Sequence, residues 1–358
     1  MKTIYINGRF LTQNLTGVQR YCIEIVKELD KLDSPNIKYI LLLPKSSNIV
    51  DAHFKLRNIK INRIGIFSGH LWEQIDLFFY TFSETLFSPN GTGPIFKRKH
   101  LPTFHDVNFI DIPDGFTDLF AFWYRIVFSA SGFFSKQILT VSEYSKQRIQ
   151  SLLKVSPQKI SVVYEGYQHM IDIPPDFSIL NRLNQNIPYI LAVSSLNTNK
   201  NFKLIINCIE AVCDLGLQIV IVGGSNPTVF KGKNKLSGKK NFVWLGRVSD
   251  NELKALYTNA FCFVYPSFFE GFGLPPLEAQ ACGSFCIISS TSCLPEIYSD
   301  SVLYCDPHEK ETLIEAITLL KDDESKRNLL KDKMEENLTK YSWKESAVKI
   351  HYLLNFKQ

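Results

Sequence analysis

The chain is predicted to be an α/β protein of two Rossmann-like, doubly wound domains facing a cleft. Three observations predict it. The chain has 358 residues, too many for one comfortable core and suited to two. Short β-rich apolar runs alternate with longer helical patterns, which implies parallel sheets covered by helices on both faces. Finally, that alternation stops at a polar, proline-bearing stretch at the middle of the chain and then begins again.

In chain order the first half offers strands at Thr3–Asn7, Lys38–Leu43, Thr85–Ser88, Pro102–His105, Ile138–Ser142 and Ile160–Val163. Helical stretches separate them. In Gly17–Leu32, for example, Val18, Tyr21, Cys22, Ile25 and Leu29 recur at i, i+3, i+4 spacing. Residues 1–167 read as one domain and 168–187, with Pro174-Pro175, as a linker. Residues 188–340 read as the second domain, with strands at Tyr189–Val193, Gln218–Val222, Phe242–Leu245, Phe261–Tyr265, Phe285–Ile288 and Val302–Cys305. The tail 341–358 carries an amphipathic helix that could dock back on the first domain. Such sheets bind ligands at the carboxyl ends of their strands, so two facing sheets would place a site in the cleft.

Composition narrows the function. The chain is 45% apolar and 21% charged, without low-complexity runs, and nothing in that argues for disorder. No run of ~20 apolar residues predicts a membrane-spanning helix, and Met1–Asn7 reads as a strand, not a signal peptide. The eight cysteines form no C-x-x-C pair and mostly sit in apolar runs, as buried free thiols of a reducing compartment do. No H-x-x-x-H and no D-x-D occurs, so a protein-held metal is not expected. A net charge of +5 is too mild for a nucleic-acid partner. Most of the excess lies in the first half, where it would suit weak attraction to an anionic lipid surface or simply a solvated face.

One segment carries the chemistry. In residues 261–283 an apolar strand ends at Tyr265-Pro266-Ser267, then Glu270-Gly271-Phe272-Gly273 leads into a helix near Leu274-Pro275. Proline suits a first helical turn, glycines admit close approach of a ligand, and free N–H groups at a helix start attract anions or hydroxyls. Glu270 precedes the helix and Glu278 lies in its second turn. A carboxylate is a good bidentate acceptor for vicinal hydroxyls such as those of a ribose. Alone, the two glutamates read as a dipole-paired acid and a solvated one; with the glycines, prolines and strand around them, the ligand reading is favoured.

Glu270 to Glu278 resembles the E-x7-E signature of the retaining, GT-B-fold glycosyltransferase family 4, in particular its bacterial O-antigen and surface-polysaccharide branch. The resemblance covers nearly the whole chain. Thr16-Gly17-Val18-Gln19-Arg20, Leu86-Phe87-Ser88-Pro89, His105-Asp106, Val141-Ser142-Glu143-Tyr144-Ser145-Lys146, Asn199-Lys200-Asn201, Gly246-Arg247-Val248-Ser249-Asp250 and Leu303-Tyr304-Cys305-Asp306-Pro307 fall where that family places similar motifs.

The resemblance implies a metal-independent hexosyltransferase without a cofactor, taking a nucleotide-sugar donor, by first choice mannosyl from GDP-mannose. It implies a lipid-linked glycan acceptor, and a cytoplasmic setting, peripheral to the inner face of the membrane. Lys200 matches the family lysine on the donor phosphates; as a residue it reads as a surface lysine of a polar loop. Glu270 and the backbone of Gly271, Phe272, Gly273 and Leu274 would hold sugar hydroxyls, and Glu278 the ribose. His105 would contact the donor sugar near its reacting carbon, and Gly17 would let its loop approach the donor. Many relatives have Arg-Lys where Asn199-Lys200 stands here, and some have Arg at the position of Ser195. Arg247 is the candidate replacement cation. Ser142, Glu143 and Tyr144 would line the cleft. With no covalent nucleophile evident, front-face attack is favoured over a double displacement, which would call for a flanking carboxylate pair.

Aromatic residues crowd 116–134. Phe116, Phe120, Trp123 and Tyr124 share a helical stripe, which reads first as core packing and otherwise as a face for lipid or a lipid-linked acceptor beside Lys97-Arg98-Lys99. Two rival functions remain: an NAD-dependent oxidoreductase, which lacks its G-x-G-x-x-G here, and a non-catalytic nucleotide-sugar-binding module, against which the full set Glu270, Glu278, Lys200 and His105 argues.

Overall fold

A computed structural model describes residues 2–50, 54–111, 118–193, 198–224 and 241–356. The chain divides into two compact units: residues 1–165 together with 342–358, and residues 166–341.

The first unit holds β1 (Lys2–Asn7), β2 (Ile37–Pro44), β3 (Lys60–Ile64), β4 (Thr85–Ser88) and β5 (His100–Pro102), all parallel, in the order β3-β2-β1-β4-β5. A parallel pair, β6 (Ile138–Thr140) and β7 (Ile160–Val162), continues from it through a bridge between Thr103 and Leu139. Strand β5 lies earlier than the expected Pro102–His105. The chain changes partner there: Thr103 N–H bonds Ser88 O at 2.9 Å and Phe104 N–H bonds Leu139 O at 2.8 Å. His105 thus stands just past the crossing. Strand β3 was not anticipated, because Lys60-Ile61-Asn62-Arg63-Ile64 is an edge strand with a polar sequence and only Ile64 fully buried.

The second unit holds β8 (Tyr189–Val193), β9 (Gln218–Val222), β10 (Phe242–Gly246), β11 (Cys262–Tyr265), β12 (Cys286–Ser289) and β13 (Leu303–Cys305). They form one parallel sheet ordered β10-β9-β8-β11-β12-β13. Strands β8, β9, β11 and β12 are buried along almost their whole length, as strands covered on both faces require. Residues 168–187, expected to connect the domains, fold with this unit. They form the helix Gln168–Ile171 and the turn Phe177–Arg182, and Gln218 Nε2 donates to the carbonyls of Asn184 and Ile187.

Helix Gly17–Lys31 buries Tyr21, Cys22, Ile25, Val26 and Leu29 in the first unit. Helix Trp343–Phe356 also belongs to that unit. Trp343 is buried with its ring 6.0 Å from that of Tyr21, Ser346 Oγ donates to Tyr164 O at 2.6 Å, and Lys2 Nζ donates to Leu354 O at 2.6 Å. None of the eight cysteines is in a disulfide.

Candidate functional site

In the second unit, the loop after β11 and the helix Leu274–Ala281 form a built platform. Gly273 caps that helix in the left-handed region (φ 87°), with Pro275 in the first turn. The dihedral favours glycine there, and a Cβ, which would stand 2.6 Å from Leu294 Cδ2, would also have to displace that buried methyl. The side chains of Phe272 and Leu274 are buried, Phe272 packing edge-on against Tyr341 at 5.6 Å. These two residues therefore have only backbone to offer a ligand.

Gly17 is the opposite case. It opens helix Gly17–Lys31 with nothing within 4 Å of a Cβ built on it. Gly273→Ala is expected to lower stability by about 1–3 kcal/mol, and Gly17→Ala to leave the unfolding midpoint where it is. Thermal denaturation of both variants checks this, and an equal loss in the two would remove the distinction.

Lys200 follows β8 and Glu270 follows β11, adjacent parallel strands, so both leave the sheet at the same edge. Lys200 Nζ lies 2.6 and 2.9 Å from the two Glu270 carboxylate oxygens and 2.8 Å from Tyr265 Oη. Burial, reinforced by the Glu270 carboxylate, pushes the Tyr265 phenol well up, so it stays protonated. Ser292 Oγ accepts the Glu270 N–H at 3.0 Å. Asn199 is buried, donating from Nδ2 to Phe269 O at 3.4 Å, and its Oδ1 has no partner among the described residues.

Glu278 sits in a second cluster. Its Oε1 is 2.9 Å from His169 Nε2 and its Oε2 accepts from Tyr257 Oη at 3.2 Å. Sequence reasoning missed Tyr265, Tyr257 and His169. Tyr265 and Tyr257 read as apolar positions of a strand and a helix, and His169 falls in the expected linker with no motif around it.

Arg247 is exposed at the end of β10, its Nε 3.7 Å from where a Cβ on Gly224 would be. No described contact joins it to Lys200 or Glu270. Ser195 lies outside the described residues.

The first unit has its own cavity of about 410 Å³, lined by the glycine-loop residues Thr16, Val18 and Gln19 together with Arg9, Asn90, His105, Asp106 and Tyr124, among others. Arg9 Nη1 pairs with the fully buried Glu73 at 3.0 Å. His105 Nε2 meets Pro89 O at 2.8 Å, and its ring is edge-on to Tyr21 at 4.7 Å. A carbonyl only accepts, so Nε2 carries the proton and Nδ1 is the acceptor. Burial brings its pKa down to about 4. Ser142 caps helix Glu143–Leu153, its Oγ accepting from Ser145 N–H at 3.0 Å.

The aromatic stripe divides. Trp123 is exposed, whereas Tyr124 is largely covered, stacking on Phe128 at 5.8 Å. Phe116 and the side chain of Phe120 lie outside the described residues. Lys97 is not a surface cation as expected: it is buried, donating to the carbonyls of Thr81, Phe82 and Glu84.

Two successive parallel sheets define a class of fold, and known proteins share it. Residues 178–341 match the family model of glycosyl transferases group 1. The second unit belongs to that family, and the fold is that of the GT-B glycosyltransferases. The structure of HepE from Anabaena in complex with UDP and glucose superposes with a TM-score of 0.75 at 15% identity, over 99% of this chain and 100% of that one.

Among characterised proteins, the chain is 31% identical over 228 residues to the O-antigen chain mannosyltransferase RfbU of Salmonella typhimurium, spanning 63% of this chain and 62% of that one. It is 25% identical over 358 residues to O-antigen chain mannosyltransferase B of Escherichia coli, spanning 92% and 93%.

Proposed function

We propose that the chain is a retaining hexosyltransferase that moves a sugar, assigned here as mannose carried by GDP, from a nucleotide-sugar to a growing, lipid-linked O-antigen-type polysaccharide. The observation that carries this reading is the Lys200–Glu270–Tyr265 cluster beside the glycine-capped start of helix Leu274–Ala281. The sugar assignment rests on two relatives named as O-antigen mannosyltransferases, and GDP is the carrier that the family resemblance of the sequence points to.

In this reading the donor diphosphate draws the Lys200 ammonium from Glu270, and the freed carboxylate accepts sugar hydroxyls. Backbone N–H groups at 271–274 complete the hold on the donor. Glu278, steadied by His169 and Tyr257, accepts the ribose hydroxyls. The first-unit cavity, with Arg9, Asn90 and Gln19 on its wall, takes the acceptor's terminal sugar, and neutral His105 offers Nδ1 to a hydroxyl.

Transfer proceeds on the front face. The bond from the sugar's anomeric carbon to the phosphate oxygen breaks and the acceptor oxygen bonds to that carbon. The acceptor's proton passes to the departing phosphate oxygen. Lys200 and the helix-start N–H groups stabilise the charge that develops, with no metal required, so chelator leaves turnover unchanged. The reaction belongs on the cytoplasmic side of the membrane, where nucleotide-sugars are made.

The test is thermal unfolding with GDP, UDP, ADP, CMP, dTDP and NAD. A nucleotide at ~100 times its Kd contributes about 2.7 kcal/mol, a rise of several degrees. GDP is expected to raise the midpoint and Glu278→Ala to abolish the rise. A response to NAD alone would overturn the reading in favour of an oxidoreductase, and nucleotide binding without sugar transfer would leave a binding module.

A further inference from the structure

Three segments of the first unit leave large apolar side chains in solvent. In the helical run formed by Gly69–Trp72, Glu73–Leu77 and Phe78–Tyr80, and just beyond it, Leu71 (61% exposed), Ile75, Phe79 (70%) and Phe82 (67%) follow one another at four-, four- and three-residue steps. That spacing places them on one stripe. In helix Asp118–Phe134, Phe122 (63%), Ile126 and Phe133 (76%) do the same. Phe96 (66%) stands on the segment between them.

These stripes are neighbours. Phe96 contacts the Phe134 ring at 5.2 Å, and the Ile95 N–H before it donates to Gln74 Oε1 at 3.0 Å. The His70 and Tyr124 rings meet at 5.9 Å, tying one helix to the other. Isolated exposed apolar residues are ordinary, but clustered phenylalanines on adjoining helices mark a surface that is covered in use.

Charge selects what covers it. Arg98 and Lys99 flank Phe96, and Arg125 and Lys136 flank the second stripe, all exposed. The acids of the first stripe are withdrawn: Glu73 is buried against Arg9, and Asp76 accepts the N–H groups of Ile66 and Phe67. Among the described side chains that leaves the half-buried Glu84. A second copy seated symmetrically would bring the cations against themselves, whereas anionic headgroups would neutralise them while the phenylalanines enter the acyl boundary.

We propose that this face docks the chain on an anionic lipid surface, through Phe79, Phe82, Phe96 and Phe133 with Arg98 and Lys99 at the rim. It deepens the proposed function by holding the enzyme where a lipid-linked acceptor is found, but the test does not depend on turnover. The full chain is sedimented with phosphatidylglycerol-containing vesicles and with phosphatidylcholine vesicles. Binding is expected to the first alone, to weaken at raised salt, and to fall about tenfold or more for Arg98→Glu/Lys99→Glu and for Phe79→Ser/Phe133→Ser.

These side chains are exposed, so the variants should keep the wild-type unfolding midpoint and its rise with GDP; that result separates a lost surface from a lost fold. Equal binding by the variants, or none by the folded wild type, overturns the proposal. So does self-association in sedimentation velocity that Phe79→Ser/Phe133→Ser abolishes, which would make the face a contact between copies.

Discussion

Lys200→Ala lowers turnover by about 10²–10³-fold, and Glu270→Ala does the same, the ordinary cost of removing one preorganised group at a centre of developing charge. The pair is held tightly, with Nζ to Oε distances of 2.6 and 2.9 Å and both residues largely buried. Losing either partner strands the other: an unpaired buried charge costs about 3–5 kcal/mol. Turnover must therefore be read per folded molecule. Lys200→Gln and Glu270→Gln help here, since each keeps a polar partner while deleting the charge. If the losses are catalytic, saturating donor does not restore kcat in either glutamine variant, and the double variant is far less than multiplicatively worse than the singles. Near wild-type kcat in Lys200→Ala or Glu270→Ala sinks the assignment. A fall that tracks the folded fraction would leave the pair a structural one.

Acidification is expected to weaken the first unit well before its carboxylates titrate. Burial lowers His100 from the ordinary 6.5 to about 3 and His105 to about 4. Both sit in the same strand-edge region; His100 Nε2 is 2.9 Å from Ser88 Oγ and His105 bonds Pro89 O at 2.8 Å. From about pH 6.5 down to about pH 4 for His105, and on to about pH 3 for His100, the unfolded chain binds protons that the folded chain refuses. Their contribution is thus complete above pH 6.5 and is lost as pH falls through that window. By pH 5 each histidine costs about 2 kcal/mol.

Urea unfolding at pH 7 and pH 5 measures it through Trp72, Trp123 and Trp343, which lie in this unit. His105→Gln should recover about 2 kcal/mol of the pH difference. A variant that keeps the full acid loss would show that another group causes it. The same burial keeps His105 neutral at working pH, so it can present a lone pair but is not a general acid.

The strand–helix alternation was legible along almost the whole chain, because a parallel strand buried on both faces must be an apolar run. Where that constraint is absent the reading failed: β3 carries Lys60, Asn62 and Arg63 at a sheet edge, and β5 ends where the chain trades the β4 ladder for β6. Lys97 misled for a related reason, since nothing local announces a lysine that will cap three carbonyls of another segment.

The sequence by itself determined two parallel α/β units, a helix start behind two glycines after Tyr265, and the candidates Glu270 and Glu278; Lys200 came from the resemblance of its motif to a family. These follow from local rules: residue periodicity, the placement of glycine and proline around a helix start, and the order of motifs along the chain. The tertiary structure alone decided which groups meet. Lys200 reaches Glu270 and Tyr265 only because β8 and β11 are neighbours in the sheet. Glu278 reaches His169 only because residues 168–171 fold with the second unit. Pairings across 70 or 109 residues of chain are set by sheet order and helix packing, and no spacing in the sequence encodes them.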